Sequence, residues 1–167
     1  MRRGARGVEE HQFHGSAMTS VDAKGRLSLP SFVRGVIERR SGNRTAFLGK
    51  QEAQSCLIGY DSTVSRILAA DNERRRLQDE LAGIDITAHQ TRQRRTFGLT
   101  EEVNYDPSGR VVMPPLLRRK GRIEDFALFV GGGRDFEIWN PHVAFASDDE
   151  DLRDIAAFHM DEKGVKY

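Results

Sequence analysis

The chain has 167 residues, of which 38% are hydrophobic and 31% charged, and its formal net charge is +1. That balance suits a soluble globular protein of one domain or two small units, and argues against a disordered segment or a uniformly basic nucleic-acid coat. No apolar run approaches the ~20 residues of a membrane span, and the lone Cys56 excludes a disulfide framework and a cysteine-built metal site.

The start, Met1-Arg2-Arg3-Gly4, lacks the apolar stretch of a secretion signal, so a reducing cytoplasm is the expected compartment. Residues up to Gln12 read as a loose polar tail whose arginines are available to phosphates. Phe13 to Val21 then reads as a strand, Asp22-Ala23-Lys24-Gly25 as a tight turn, and Leu27-Ser28-Leu29 as a second strand with period-two alternation. An Asp can bond the backbone amide two residues on, and Gly supplies the positive φ that other residues avoid. Arg26 leaves the turn as the strand begins, so its base is ordered while its tip reaches outward.

Pro30 and Ser31 lead into a helix whose apolar residues Phe32, Val33, Val36 and Ile37 share one face, closed by Ser41-Gly42. Thr45–Gly49 and Cys56–Tyr60 are short strands. Asp61 is a good N-cap for a helix carrying Val64, Ile67 and Leu68, with Leu77, Leu81 and Ile84 continuing the spacing. Glu73 and Arg74-Arg75-Arg76 read as its solvated face. Thr87 to Thr96 has little apolar content; it suits the second helix of a pair and marks a boundary.

The turn then returns. Val21-Asp22-Ala23-Lys24-Gly25-Arg26-Leu27-Ser28-Leu29-Pro30 is echoed by Tyr105-Asp106-Pro107-Ser108-Gly109-Arg110-Val111-Val112-Met113-Pro114. Asp22 and Asp106, Gly25 and Gly109, Arg26 and Arg110, and Pro30 and Pro114 match at one constant offset, on which Phe13 and Phe97 also fall. Strand Phe97–Tyr105, turn, strand Val111–Met113 and a short helix from Leu116 follow. Phe126–Val130 is equivalent to the strand at Phe47, and Gly131-Gly132-Gly133 reads as a hairpin turn. Phe136-Glu137-Ile138-Trp139 corresponds to Cys56-Leu57-Ile58-Gly59, which puts Gly59 where the second copy has Trp139. Asn140 caps and Pro141 opens a final helix that scatters around an acidic break, and Asp161 to Tyr167 are expected to fray.

These elements predict an α+β chain of two tandem units, residues 13–86 and 97–160, with 87–96 connecting them. An isolated half would have a marginal core, so the halves are expected to pair as an internal pseudo-dimer with flanking helices. Charge follows the repeat. Lys24, Arg26 and Arg34 lie in an acid-free stretch, as do Arg110, Arg118, Arg119, Lys120 and Arg122, while Asp148-Asp149-Glu150-Asp151 and Asp154 gather acids elsewhere. That segregation fits a localised polyanion-binding face. The planar fork of Arg26 and Arg110 suits guanine O6 and N7 together, whereas Lys24, Arg34, Arg118 and Arg119 suit phosphates. Asp22, Gly25, Asp106 and Gly109 form the turns.

An enzyme is poorly supported. The histidines (His11, His14, His89, His142 and His159) show no metal-ligand spacing, and the triple glycine lacks a Gly-Lys-Ser/Thr ending. No cofactor, metal or small-molecule substrate is expected.

The doubled Asp-x-x-Gly-Arg-x-x-x-Pro, the later Phe136-Glu137-Ile138-Trp139, and Thr91-Arg92-Gln93-Arg94-Arg95-Thr96-Phe97 leading into the second copy resemble the MraZ family. Its members are bacterial transcriptional regulators built from two AbrB/SpoVT-like swapped-hairpin units. The resemblance covers roughly residues 13–143. It implies a β-barrel formed by the halves, ring-shaped homo-oligomers in the cytoplasm at the nucleoid, and repression of the promoter of the division and cell-wall gene cluster. It also places the DNA-contacting arginine of each turn on Arg26 and Arg110. One base-reading arginine pair gives ~1–3 kcal/mol of discrimination, too little to single out a promoter. Linked subunits raise apparent affinity by roughly 10²–10⁴, so short direct repeats in double-stranded DNA are the expected target. An antitoxin-like protein-interaction module on the same hairpin fold is the alternative, against which stands the folded character of both halves.

Overall fold

The computed structural model describes Val8 and residues 10–167; most of the expected N-terminal tail lies outside the described residues. Around the first turn run β1 (Ser16–Ser20) and β2 (Arg26–Ser28), followed by α1 (Ser31–Ser41), β3 (Thr45–Lys50) and β4 (Leu57–Tyr60). Helices α2 (Ser62–Leu81) and α3 (Ile86–Gln93) and one wide helical turn (Arg94–Gly98) lead to the second copy. There β5 (Thr100–Asn104) and β6 (Arg110–Val112) flank the turn, and α4 (Pro115–Lys120), β7 (Phe126–Gly131) and β8 (Phe136–Trp139) follow. Helices α5 (Pro141–Phe145) and α6 (Glu150–Lys163) complete an α+β chain.

Six strands form one antiparallel sheet in the order β1-β7-β8-β4-β3-β5, and β2 pairs with β6 in a separate ribbon. Exchanging the strands of the first half for their counterparts in the second only reverses that order. Each half lends its first strand to the other: β1 pairs with β7, and β5 with β3. Phe13, Leu29, Val33, Ile37, Leu48, Leu57, Met113, Leu117, Phe129, Phe136 and Ile138 fill a single core drawn from both halves.

The expected barrel is not closed. The edge strands β1 and β5 share no ladder, because the chain after each turn leaves the sheet and spends its backbone pairing on the opposite copy in the β2–β6 ribbon. The strand correspondence also needs correction by one residue. Phe47 faces Tyr60 across β3–β4, and Leu128 faces Trp139 across β7–β8, so Leu57–Tyr60 matches Phe136–Trp139 and Tyr60 stands in the place of the tryptophan. Gly59 instead lies opposite Phe136, where a Cβ would come within 2.2 Å of the ring. The glycine therefore makes room for the larger aromatic.

Phe13 and Phe97 part company as well. Phe13 is buried edge-on against Phe136, at 5.0 Å between ring centroids, whereas Phe97 is exposed in the wide helical turn before β5. The single final helix becomes two, because Asp149 accepts from the Leu152 amide and starts α6 afresh, with Glu150 and Asp151 in its first turn. Acids there suit the positive end of the helix dipole. Nor do the last residues fray: the Val165 amide donates to the Met160 carbonyl, and the Tyr167 ring stacks on Phe145 at 4.6 Å while its hydroxyl meets Asp161. Met18, Leu128, Trp139, Leu152, Ala156 and Met160 make a second cluster beneath α5 and α6.

The first half ends differently. Along α2 only Thr63 and Val64 are buried, and the α2–α3 pair is held by Arg92–Asp79 at 2.9 Å and Asn72–Gln93 at 2.9 Å. Leu77, Leu81, Ile84 and Ile86 are exposed around its tip. Where α2 starts, Asp61 accepts from the Thr63 amide and pairs with Arg40 at 3.3 Å, both side chains fully shielded from solvent. Arg40 also donates to the carbonyls of His11, Gly133 and Arg134 and lies over the Phe13 ring at 4.7 Å. Asn140, the counterpart of Asp61, caps α5 through the His142 amide and donates to the Arg122 carbonyl.

Candidate nucleic-acid interface

Both turns close the same way. The Gly25 amide donates to the Asp22 carbonyl at 2.9 Å, and Gly109 to Asp106 at 2.8 Å. Gly25 has φ 81° and Gly109 φ 82°, a region costly for any residue with a Cβ. One carboxylate oxygen of Asp22 accepts from the amides of Lys24 (3.0 Å) and Arg26 (2.9 Å), and its other oxygen accepts from Arg26 Nε at 2.6 Å. Asp106 does the same for Ser108 (2.9 Å), Arg110 (2.9 Å) and Arg110 Nε (2.7 Å). The amide of the arginine, and then its side chain, hold each carboxyl below the ordinary Asp range.

This arrangement aims the arginines. Nε is held by the turn's own carboxylate, while the side chains remain 62% and 74% exposed, so the terminal Nη groups point into solvent. The ribbon brings the two together. Arg26 faces Val112 and Ser28 faces Arg110 across it, and all four are exposed on one side while Leu27 and Val111 are buried on the other. As diagonal neighbours the two arginines are on the order of 7–8 Å apart at their bases. They line a cleft of about 710 Å³ with Asn104, Thr19, Ser20, Ser28 and Val112.

The remaining basic residues divide. Lys24 and Arg119 are exposed, Lys24 within the first turn and Arg119 on the outer face of α4. Arg34 and Arg118 are partly buried, and their guanidinium groups are engaged with backbone. Arg34 Nε donates to the Leu29 carbonyl at 3.0 Å and Nη1 reaches the Pro107 carbonyl at 3.4 Å. Arg118 donates to Ile123 (3.1 Å), Glu124 (3.1 Å) and Ala23 (3.2 Å). The sequence reading missed Ser28 and Val112; the signal for Val112 was its place two residues after Arg110, on the same strand face.

Among the described residues no cluster of His, Cys, Asp or Glu could hold a metal ion, and no helix is long and apolar enough to cross a membrane. Cys56 is buried, and its thiol is pushed up by that burial and by neighbouring Glu137.

Comparison with models of protein families finds no match. Comparison with curated proteins does. The chain is 35% identical over 136 residues to the transcriptional regulator MraZ of Rhodospirillum rubrum, covering 81% of this chain and 83% of that protein. It is 31% identical over 140 residues to that of Hydrogenovibrio crunogenus (84% and 87% covered) and 28% identical over 145 residues to that of Marinobacter nauticus (84% and 92%). At that identity and coverage, the chain belongs to the MraZ family of transcriptional regulators.

Proposed function

We propose that the chain is a sequence-specific binder of double-stranded DNA that regulates transcription as a homo-oligomer, in which Arg26 and Arg110 reach base edges and Lys24 and Arg119 meet phosphates. The observation that carries this reading is the ribbon itself: two arginines from two copies of one turn, anchored at Nε and free at Nη, on one exposed surface. A free pair of Nη groups on a pre-ordered stem suits bidentate contact with guanine, and little rotamer entropy remains to be lost on binding.

The reversal of the sheet on exchanging halves supports residues 13–86 and 97–160 as the paired units, with 87–96 between them. Self-association is supported by the apolar side chains exposed around the α2–α3 tip, Leu77, Leu81, Ile84 and Ile86. Several copies on short direct repeats supply the specificity that one pair of arginines lacks. Repression of the division and cell-wall promoter is the role that the family resemblance favours.

The test is binding to a duplex taken from upstream of the protein's own gene, with Arg26→Ala and Arg110→Ala purified as intact oligomers. Loss of roughly 10-fold or more per site is expected, multiplied across subunits. Undiminished specific binding by both variants would remove the proposal. A footprint on the same duplex reads the repeat length and spacing.

A further inference from the structure

Arg34 and Arg118 occupy equivalent places in α1 and α4, and each reaches away from its own turn toward the other. Arg34, from the first half, lies on the second turn: its Nη1 faces the Pro107 carbonyl, and its Cδ lies where a Cβ on Gly109 would be only 2.6 Å away. Arg118, from the second half, lies on the first turn: its Nη1 donates to the Ala23 carbonyl and is the nearest side-chain atom to Gly25, 3.5 Å from an ideal Cβ. Two backbone bonds repeat the pattern. The Leu29 amide donates to the Gly109 carbonyl at 2.8 Å, and the Met113 amide to the Gly25 carbonyl at 2.8 Å.

We infer that Arg34 and Arg118 are positioning residues acting in trans, each holding the arginine-bearing turn of the opposite copy, and are not themselves phosphate contacts. Three donors of Arg118 are taken up by carbonyls, and two of Arg34. A guanidinium fork used in that way has less to offer a phosphate than the free Nη groups of Arg26 or Arg110. A compact turn with few buried apolar contacts is a segment that opens locally unless tied down. The brace supplies the tie from a helix whose apolar face is locked in the common core, through Val33, Val36 and Ile37 for α1 and Leu117 for α4. Neither arginine turn is then ordered by its own half alone. The role of the braces rests on the DNA-binding reading, but their existence does not.

The experiment separates the two. Amide hydrogen exchange is measured on the full chain without DNA, for wild type, Arg34→Ala and Arg118→Ala. Arg118→Ala is expected to speed exchange at Lys24, Gly25 and Arg26 by roughly fivefold or more and to leave Ser108, Gly109 and Arg110 unchanged. Arg34→Ala is expected to do the reverse. Changes confined to each arginine's own half, or none in either turn, would overturn the inference.

Binding to the upstream duplex over a range of salt gives the second readout. A positioning role predicts weaker binding with the slope of log K against log salt unchanged, whereas a lost phosphate contact lowers that slope by about 1 per site. A lowered slope with intact turn protection would likewise overturn it. Arg34→Lys and Arg118→Lys cover the case where the alanine variants fold poorly. They keep the charge but not the fork, so turn protection is expected to stay lost, and restored protection would count against the braces. If Arg26→Ala and Arg110→Ala bind DNA normally while the crossed exchange pattern holds, the DNA reading fails and the brace stands.

Discussion

The two halves of the molecule agree where they meet and differ where they part. Every hydrogen bond made within the first arginine turn has a counterpart in the second that matches to 0.1 Å, from the glycine amide to the arginine Nε. Behind the turns the likeness fades. The first half starts α2 on a buried Arg40–Asp61 pair and sends out a helical hairpin with an apolar tip. The second starts α5 on neutral Asn140 and folds α6 back over the sheet. Constancy at the ribbon with divergence elsewhere is the pattern of a duplicated surface whose two scaffolds serve different neighbours.

The sharpest way to separate the halves is through their caps. Arg40→Ala leaves Asp61 buried and uncompensated, and is expected to cost about 3–5 kcal/mol in denaturant unfolding. Replacing both partners, as Arg40→Met with Asp61→Asn, imitates the solution of the second half and should recover most of that loss. Little recovery would mean that the pair is needed for more than its mutual neutralisation, with the carbonyls of His11, Gly133 and Arg134 the first suspects.

The turn glycines come next. Gly25→Ala must adopt an unfavourable φ but finds space, its nearest backbone neighbour being Met113 O at 3.4 Å; about 1–2 kcal/mol is expected. Gly109→Ala has the same φ and also meets Arg34 Cδ at 2.6 Å and the Leu29 carbonyl at 2.9 Å; about 2–4 kcal/mol is expected. Equal losses would show that the two turns are equally loose and that the tight approach of Arg34 relaxes freely.

Asn140→Ala removes a cap and the bond to Arg122, for an expected loss of about 1–2 kcal/mol in the same unfolding measurement, well below that of Arg40→Ala.

The smallest effect is one in which the halves should not differ at all. Asp22 and Asp106 are both held below the ordinary value of 3.8, chiefly by the amide of the arginine each turn carries. A carboxyl depressed on folding stabilises fully above its unfolded pKa and loses that contribution as pH falls through its folded one. The amide resonances of Gly25 and Gly109 should therefore stay fixed at neutral pH and shift together below about 4. Separate transitions would break the equivalence of the turns.

Much of this was legible in the residues. The turns were, because Asp, Gly and Arg at fixed spacing each do one job that few other residues can do. The strands and the caps at Asp61 and Asn140 followed from alternation and hydrogen-bonding type. What escaped was whatever depends on a partner distant in sequence. Nothing near Arg34 or Arg118 says that the carbonyl waiting for each lies in the other copy. Tyr60 takes the place of Trp139 by the β3–β4 and β7–β8 registers, a match that aligning the caps Asp61 and Asn140 would also have given. Phe97 kept the spacing of Phe13 but lost its place in the core, since the wide helical turn before β5 carries it outward. The closed sheet was an implication of the family resemblance, which alternation could not test, since it reports which face a strand buries and is silent on which edge it pairs.

The antiparallel register of the ribbon centres on Leu27 opposite Val111, and the residues on either side exchange when the molecule is rotated by half a turn about that point. Arg26 then lands on Arg110 and the exposed face looks nearly the same from either direction. Differences between the copies reveal its heading, among them Ser28 against Val112, Lys24 against Ser108 and Ser20 against Asn104. Anything that docks on this face must take its polarity from side chains such as these.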